Sequence, residues 1–246
     1  MKRSTIRIRM CIAIAIMAAA SGCKQNSSAP IAPKPIAAGA AIVESSGGKQ
    51  SGVSGFALKD PLVVQVNDDK GTAVAGALVD FHGPKDVAFD PIAVLTDSSG
   101  QATTAVTLGT IAGRYAIVAS TPGKSQPATV QIVETALGYQ QQLGSLLADQ
   151  YCNSCHDSES SAERVSNYDN LQVKPHAFSD GDTLNKMSDA DLTAILQHGG
   201  PALNRSALMP PYGDTLSPAD LRALIAYIRI VSDPPYEPSG TVYARK

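Results

Sequence analysis

The 246-residue sequence lacks a surplus of positive charge, with 20 Lys and Arg against 22 Asp and Glu. Four of the basic residues and none of the acidic ones fall in the first nine positions. Without this segment the chain has 16 basic and 22 acidic residues, a formal balance of −6. A nucleic-acid-binding protein needs a basic face, so this balance argues against nucleic acid as a partner.

Long apolar runs are also lacking. The run at residues 10–20, MCIAIAIMAAA, is too short to span a bilayer as a helix and follows a basic segment, so we interpret it as the core of a secretory signal. It ends in AASGC (residues 19–23), which resembles the lipobox of bacterial lipoproteins. The resemblance implies cleavage before Cys23 and acylation of that cysteine. Lys24, in place of Asp, favours the outer membrane, so we expect a lipid-anchored envelope protein facing the periplasm or the cell surface.

Cysteine is scarce, with four residues in the whole chain. Cys11 would leave with the signal peptide and Cys23 would carry lipid. Only Cys152 and Cys155 then remain, in a protein exported to an oxidising compartment.

The rest of the chain divides by composition into four segments after a signal peptide at residues 1–22. Residues 23–54 are rich in Pro, Ala, Ser and Gly without a sustained hydrophobic period, which predicts a tether. Residues 55–134 contain short alternating segments broken by turn residues, typical of an antiparallel β-sandwich. Residues 136–233 change to helical periodicity, and residues 234–246 form a tail.

The predicted sandwich contains the segments VNDDKGTAVAGALVDF, TDSSGQATTAVTL and AGRYAIVAS. Together they resemble the bacterial Ig-like domains of the invasin and intimin type. The resemblance implies a spacer or docking module. The one histidine of this segment, His82, precedes Gly83-Pro84 and is interpreted as a solvated turn residue.

The helical segment contains two predicted helix starts. Ser188 and Ser217 are candidate N-caps, each with Asp three residues later, and Pro218 occupies a first helical position. The predicted fold class is therefore multidomain, an all-β Ig-like sandwich followed by an all-α domain.

The sequence CNSCH, which contains Cys152, Cys155 and His156, carries the chemistry of the helical segment. A structural zinc site would need a second pair of close ligands, which is missing. A thioredoxin-like redox pair would need a βαβ context, and a plain disulfide would close a tiny loop and leave His156 without a role. Covalent haem attachment uses all three residues, because the thiols bond the two vinyl groups and the histidine binds iron.

The second axial ligand is predicted to be Met209, in the loop MPPYGDTLS, 53 residues after His156. Two prolines follow it and stiffen the loop. His176, His198 and Met187 are alternatives, as is an iron with an open position. Three of the four residues have an ordinary interpretation: Met209 as a core residue, His198 as a cation at a helix C-terminus, and Met187 as a contact beside the cap Ser188. His176 follows Pro175 in a loop and has no such interpretation.

The motifs CNSCH, ILQHGGPAL, MPPYGDTLS and LRALIAYIR together resemble a small class I cytochrome c domain. The resemblance implies one covalent haem c. It also implies that Gly144 lies where the first and last helices cross, with Tyr227 packed against it. Ala148 occupies a position that is usually aromatic in this family, and Pro175 is the candidate for the carbonyl that orients His156.

These observations predict a membrane-tethered, single-haem electron-transfer protein rather than an enzyme, with an unidentified redox partner. Residues 136–246 carry 13 acidic and 8 basic residues, which predicts a partner with a basic or neutral face. Two alternatives remain. One is a haem-based small-ligand sensor or a subunit of a redox enzyme; the other is a surface adhesion protein in which the Ig-like domain has the main role.

Overall fold

The computed structural model describes residues 37–161 and 164–238. The predicted signal peptide, Cys23 and the first part of the predicted tether lie outside the described residues, as does the end of the predicted tail. No helix in the described part of the chain is both long enough and apolar enough to cross a membrane.

Strands occupy the first half of the described chain and form two sheets. The strands are β1 (Ala41–Ser46), β2 (Ser51–Val53), β3 (Leu62–Asn67), β4 (Leu78–His82), β5 (Ala88–Asp90), β6 (Ala93–Leu95), β7 (Gln101–Thr107), β8 (Gly113–Thr121) and β9 (Ala128–Leu137). One sheet has the order β1-β3-β7-β5 and the other β2-β9-β8-β4-β6. All neighbouring strands are antiparallel except β2 and β9, which pair in parallel.

The two sheets pack face to face because apolar residues alternate along their strands. Val64 and Val66 of β3 and Val79 and Phe81 of β4 are fully buried and belong to one core cluster together with Ile117 of β8. Side chains two residues apart in a strand point to the same face. The predicted β-sandwich is therefore confirmed.

The sandwich begins earlier than predicted. Strands β1 and β2 lie within residues 23–54, which the sequence predicted to be tether. Ile42 is the one buried residue of β1, an edge strand, so its hydrophobic pattern is too weak to distinguish it from a linker. The sandwich also extends past residue 134, because β9 continues to Leu137.

Helices follow the last strand. They are α1 (Tyr139–Tyr151), α2 (Asn153–His156), α3 (Gly181–Leu184), α4 (Asp189–His198) and α5 (Pro218–Val231), with short 3-10 turns at Tyr168–Asn170 and Gly200–Leu203. Ser188 and Ser217 cap α4 and α5 through reciprocal bonds with Asp191 and Asp220. Both predicted capping boxes are confirmed, as is the place of Pro218 in the first turn of α5.

Helices α1 and α5 cross in direct backbone contact. A Cβ atom added to Gly144 would lie 2.0 Å from the carbonyl oxygen of Ala223 and 2.8 Å from Cβ of Tyr227. Only glycine permits this approach, so the predicted roles of Gly144 and Tyr227 in the crossing are confirmed. The crossing fixes the end of α1, where the CNSCH sequence begins.

The sandwich and the helices are joined by a short connection and by side-chain contacts. Gly138 is the one residue between β9 and α1. Nη1 of Arg114, on β8, donates to the backbone oxygen of Ser232 at 2.8 Å, and Nη2 lies 3.5 Å from the carboxylate of Asp233.

Candidate functional site

The CNSCH sequence forms a tight turn at the end of α1. Cys152 ends α1 and begins α2, and its carbonyl oxygen accepts from the backbone N–H groups of Cys155 and His156, each at 3.0 Å. Both thiols are free; Cys152 is buried and Cys155 is half-buried. The turn directs both cysteines and the histidine toward one cavity.

That cavity has a volume of about 480 Å³ and is lined mainly by apolar side chains from α1, α3, α4, α5 and the loops between them. Met209 lines it, although it is far from the CNSCH turn in sequence. Among the described residues that line it, none is Asp or Glu, and the cationic ones are Lys174 and Arg205. The cavity therefore brings Cys152, Cys155, His156 and Met209 together in an apolar setting.

The ring of His156 is oriented by a hydrogen bond and by stacking. Nδ1 lies 2.7 Å from the carbonyl oxygen of His176, which can only accept, so Nδ1 carries the proton and Nε2 keeps its lone pair. Phe178 stacks on the ring with a centroid distance of 4.8 Å and an interplanar angle of 18°. Burial lowers the pKa of His156, so the imidazole is neutral near pH 7. A neutral, oriented imidazole is suited to binding a metal ion.

The sequence analysis named Pro175 as the candidate for the carbonyl that orients His156. In the structure the carbonyl of His176 has this role. Pro175 itself lines the cavity. The sequence locates the stiff segment of this loop, but the direction of each peptide depends on its backbone dihedral angles. The oriented carbonyl is therefore one residue further on.

The loop that carries Met209 is fastened to the C-terminal end of α4. The carbonyl oxygen of Met209 accepts from Gly200 N–H at 3.1 Å, and the N–H groups of Tyr212 and Gly213 donate to carbonyl oxygens of α4 at 2.9 and 3.1 Å. Gly199 has a positive φ of 79°, and a Cβ atom there would lie 2.7 Å from the oxygen of Met209. The glycine pair thus lets the loop pack on the helix and holds the half-buried thioether at the cavity.

Two of the three alternative ligands also line the cavity. Met187 does so at the start of α4, and His176 does so beside His156. Nδ1 of His176 lies 2.8 Å from Oδ2 of Asp180, and this hydrogen bond holds the pKa of Asp180 below its usual range. His198 is exposed at the end of α4 and does not line the cavity. His82, at the end of β4, is exposed, as predicted.

The burial of Cys152 disfavours the redox-pair alternative. Burial, assisted by the nearby Cys155, raises the pKa of Cys152 to about 12. The thiol is therefore protonated near pH 7 and is a poor redox nucleophile. Within residues 37–161 and 164–238, no three His, Cys, Asp or Glu side chains converge to hold a metal ion.

Phe178 and Tyr212 are two residues of the site that the sequence did not predict. Tyr212 donates from its hydroxyl to the carbonyl oxygen of Tyr151 at 2.7 Å, linking the Met209 loop to the end of α1. Phe178 also meets Tyr227 edge-on at 6.3 Å, which connects the His156 ring to α5. The chain has four phenylalanines, and the only sequence signal for the role of Phe178 was its position two residues after His176.

A comparison with known families matches the part of the chain that contains this site. Residues 140–228 match the family model described as "Cytochrome C oxidase, cbb3-type, subunit III". The match includes every residue of the CNSCH turn and Met209. The predicted c-type cytochrome domain is therefore confirmed. A search of curated proteins found no match.

Several solved structures resemble part of the chain at low TM-scores. The D00-D0 domain of intimin is 14% identical with a TM-score of 0.30, and covers 42% of this chain and 50% of that one. Invasin, a bacterial integrin-binding protein, is 22% identical with a TM-score of 0.28, covering 39% and 19%. A PapD-like domain of human CEP192 is 11% identical with a TM-score of 0.30, covering 46% and 94%. The chain thus spans half or less of the intimin and invasin structures.

Proposed function

We propose that the chain is a single-haem c-type cytochrome that transfers electrons one at a time and is anchored to the bacterial envelope through Cys23. In this proposal Cys152 and Cys155 hold the haem covalently, and His156 and Met209 are the axial ligands. The observation that carries it is that the CNSCH turn and Met209 line the same apolar cavity.

The residues at the cavity fit haem c. The two thiols lie on one turn, Nε2 of His156 is available because Nδ1 donates to a carbonyl, and the thioether is held by a fastened loop. The absence of carboxylates among the described lining residues and the many apolar side chains suit a largely apolar macrocycle. When bound, haem supplies one-electron chemistry at iron.

Each residue has a separate task in this function. His156, held by the His176 carbonyl and by Phe178, presents a neutral imidazole in one orientation. Met209 offers a thioether that favours the ferrous state more than a second histidine would. The apolar side chains around them keep water away, which lowers the local dielectric and disfavours added charge.

The electron exchange implies a redox partner, and we propose that this partner is a protein of the same envelope compartment. The matched family is described as an oxidase subunit. We propose that this chain shares electron transfer with that family, and we do not assign it the oxidase reaction.

An optical and mass-spectrometric experiment tests the haem assignment. The mature protein, produced with haem-attachment machinery, should gain the mass of one haem and show a ferric sulfur-to-iron charge-transfer band. Met209→Ala should abolish that band and make the reduced protein respond to carbon monoxide, because an axial position opens. Met187→Ala and His176→Ala serve as controls and should keep the band. A band that survives Met209→Ala but disappears in Met187→Ala would identify Met187 as the ligand.

A fatty-acid labelling experiment tests the anchor. Cells should incorporate labelled fatty acid into the parent protein, and Cys23→Ser should remain uncleaved or unlabelled, because the acylated thiol is then missing. Cys11→Ser is the matched control and should be labelled like the parent. Labelling that persists in Cys23→Ser would reject the lipoprotein assignment.

A further inference from the structure

Three large apolar side chains are exposed together at one end of the sandwich. Phe56 is 67% exposed, Ile111 is 72% exposed and Tyr139 is 88% exposed. We call these three residues the apolar tip. Most side chains of this size are at least half-buried in folded proteins, and apolar side chains grouped at one surface mark a contact site.

The three residues come from segments that are hydrogen-bonded or packed against each other. Gly55 N–H donates to the carbonyl of Gly109 at 2.8 Å, and Ser54 N–H donates to that of Leu137 at 3.0 Å. A Cβ atom on Gly138 would lie 3.1 Å from Cβ of Ala112. Residues 54–57 of the β2–β3 loop, residues 109–112 of the β7–β8 loop and the start of α1 therefore lie side by side at this end of the sandwich, whereas the charged Lys59 and Asp60 come later in the β2–β3 loop.

The tip segments carry no charge. Residues 54–57 (SGFA), 109–112 (GTIA) and 138–142 (GYQQQ) contain no Asp, Glu, Lys or Arg. Asp86, in a neighbouring loop, lies beside Gly109, and its carboxylate accepts a hydrogen bond from Tyr115 at 3.2 Å. An uncharged apolar surface is unusual in a chain of which 17% is charged.

The opposite end of the sandwich is charged and receives the chain from the predicted tether. Ala37 N–H donates to Gly76 and Gly39 N–H to Pro122 at that end. The adjoining loops, residues 68–72 (DDKGT) and 122–126 (PGKSQ), carry both signs of charge. Strand β8 runs from one end to the other, from Gly113 to Thr121, so the two ends are roughly 27 Å apart.

We propose that the apolar tip contacts the surface of the lipid bilayer to which the chain is anchored. The inference rests on the anchor at Cys23 proposed above. Thirteen residues, 24–36, lie between Cys23 and Ala37, and the chain from Cys23 to Ala37 reaches at most roughly 50 Å. That reach exceeds the length of the sandwich, so the tip end can turn toward the membrane.

A bilayer fits this surface better than a stable protein partner does. At these exposures the three side chains present roughly 450 Å², whereas a stable protein interface buries about 800 Å² on each side. A protein already held at the membrane needs only weak additional contact, because its effective concentration there is high. Tyr and Phe side chains with aliphatic neighbours suit the boundary between headgroups and acyl chains.

Vesicle binding by the haem-loaded chain that begins at Lys24, exported behind a cleavable signal peptide that needs no cysteine, tests the proposal, because this protein has neither the acyl group nor the apolar signal segment. It should co-sediment with phosphatidylcholine vesicles, followed by haem absorbance. The double variant Ile111→Ser/Tyr139→Ser should bind at least roughly tenfold more weakly. Leu95→Ser, an exposed apolar residue at the opposite end of the sandwich, is the matched control and should bind as the parent does. An unchanged haem spectrum and thermal midpoint verify that each variant is folded.

Three outcomes would overturn the proposal. One is no vesicle binding by the parent, and another is equal loss in Leu95→Ser. The third is a parent dimer in sedimentation velocity that Ile111→Ser dissociates, which would assign the tip to a second copy of the chain. Binding should also persist at high salt, since the tip is uncharged. A failure here with normal haem attachment and Cys23 labelling would reject the tip contact alone.

Discussion

Glu134 is a fully buried carboxyl group in the core of the sandwich. It lies on the inward face of β9, between Ile132 and Ala136 in the alternation of that strand. Oε2 accepts from the N–H of Gln50 at 2.6 Å, and Oε1 has no hydrogen-bond partner among the described residues. Burial raises the pKa of Glu134 to about 7, against the opposing effect of the Gln50 hydrogen bond.

Replacing Glu134 with Gln should change how stability depends on pH. The unfolded carboxyl titrates near 4.5 and the folded one near 7. The raised value stabilises the fold fully below about pH 4.5, and this contribution is lost as pH rises to about 7. Its size is about 3 kcal/mol. Urea unfolding at several pH values should show this decrease in the parent, and Glu134→Gln should lack it.

The control for this prediction is Glu159→Gln, which alters an exposed carboxyl group. Its profile should follow that of the parent. An unchanged slope in Glu134→Gln would mean that Glu134 titrates normally in the folded protein.

At the residue scale, the sequence predicted which side chains meet but not how they are oriented. CNSCH and MPPYGDTLS are local motifs, so Cys152, Cys155, His156 and Met209 could be selected from spacing and family resemblance. Phe178 and the His176 carbonyl act through loop geometry, which leaves no periodic signal. The prediction that the redox partner has a basic or neutral face came from the overall charge of residues 136–246. Near the cavity itself, the charged lining residues are the cations Lys174 and Arg205.

At the element scale, the crossing of α1 and α5 depends on the missing side chain of Gly144. Gly144→Ala should destabilise the helical part by about 1–3 kcal/mol or more, because its Cβ would meet the Ala223 carbonyl at 2.0 Å and force the helices apart. Chemical unfolding followed at the haem absorbance would measure this loss.

Gln140→Ala is the matched change on an exposed position of the same helix. It should leave stability nearly unchanged or slightly raised, since alanine favours helix. Equal stability of Gly144→Ala and the parent would show that the two helices separate without cost.

Elements with a strong local sequence pattern were predicted, and elements with a weak local pattern were not. Helices α4 and α5 have capping boxes and apolar stripes, and β3 and β8 alternate clearly, so their patterns were sufficient. Strands β1 and β2 are held by pairing with β3 and β9, a long-range interaction that a short sequence window does not contain. The start of the sandwich was therefore placed too late.

At the scale of the whole molecule, Arg114 fastens the sandwich to the helices. Arg114→Ala removes its bond to the Ser232 carbonyl and its pair with the exposed Asp233. A hydrogen bond from a charged donor contributes about 1–2 kcal/mol when it is partly exposed. We expect the thermal transitions of the two parts to separate further, while the haem spectrum stays as in the parent.

Differential scanning calorimetry with haem absorbance would follow both transitions. Lys124→Ala breaks an exposed pair with Asp69 on the sandwich and is the control. It should leave both the stability and the spacing of the transitions nearly unchanged, because an exposed ion pair is screened by water and salt. Identical calorimetric traces for Arg114→Ala and the parent would show that Gly138 and the packing alone join the parts.

The single-residue junction at Gly138 has a consequence for evolution. Strand β9 extends roughly 33 Å and α1 roughly 20 Å, and no slack separates them. The orientation of the sandwich therefore determines the direction in which the cavity faces. One residue inserted within the first turn of α1 would turn the rest of that helix by about 100° relative to the sandwich. Small insertions at this point during evolution would thus change which neighbouring protein the same redox group faces.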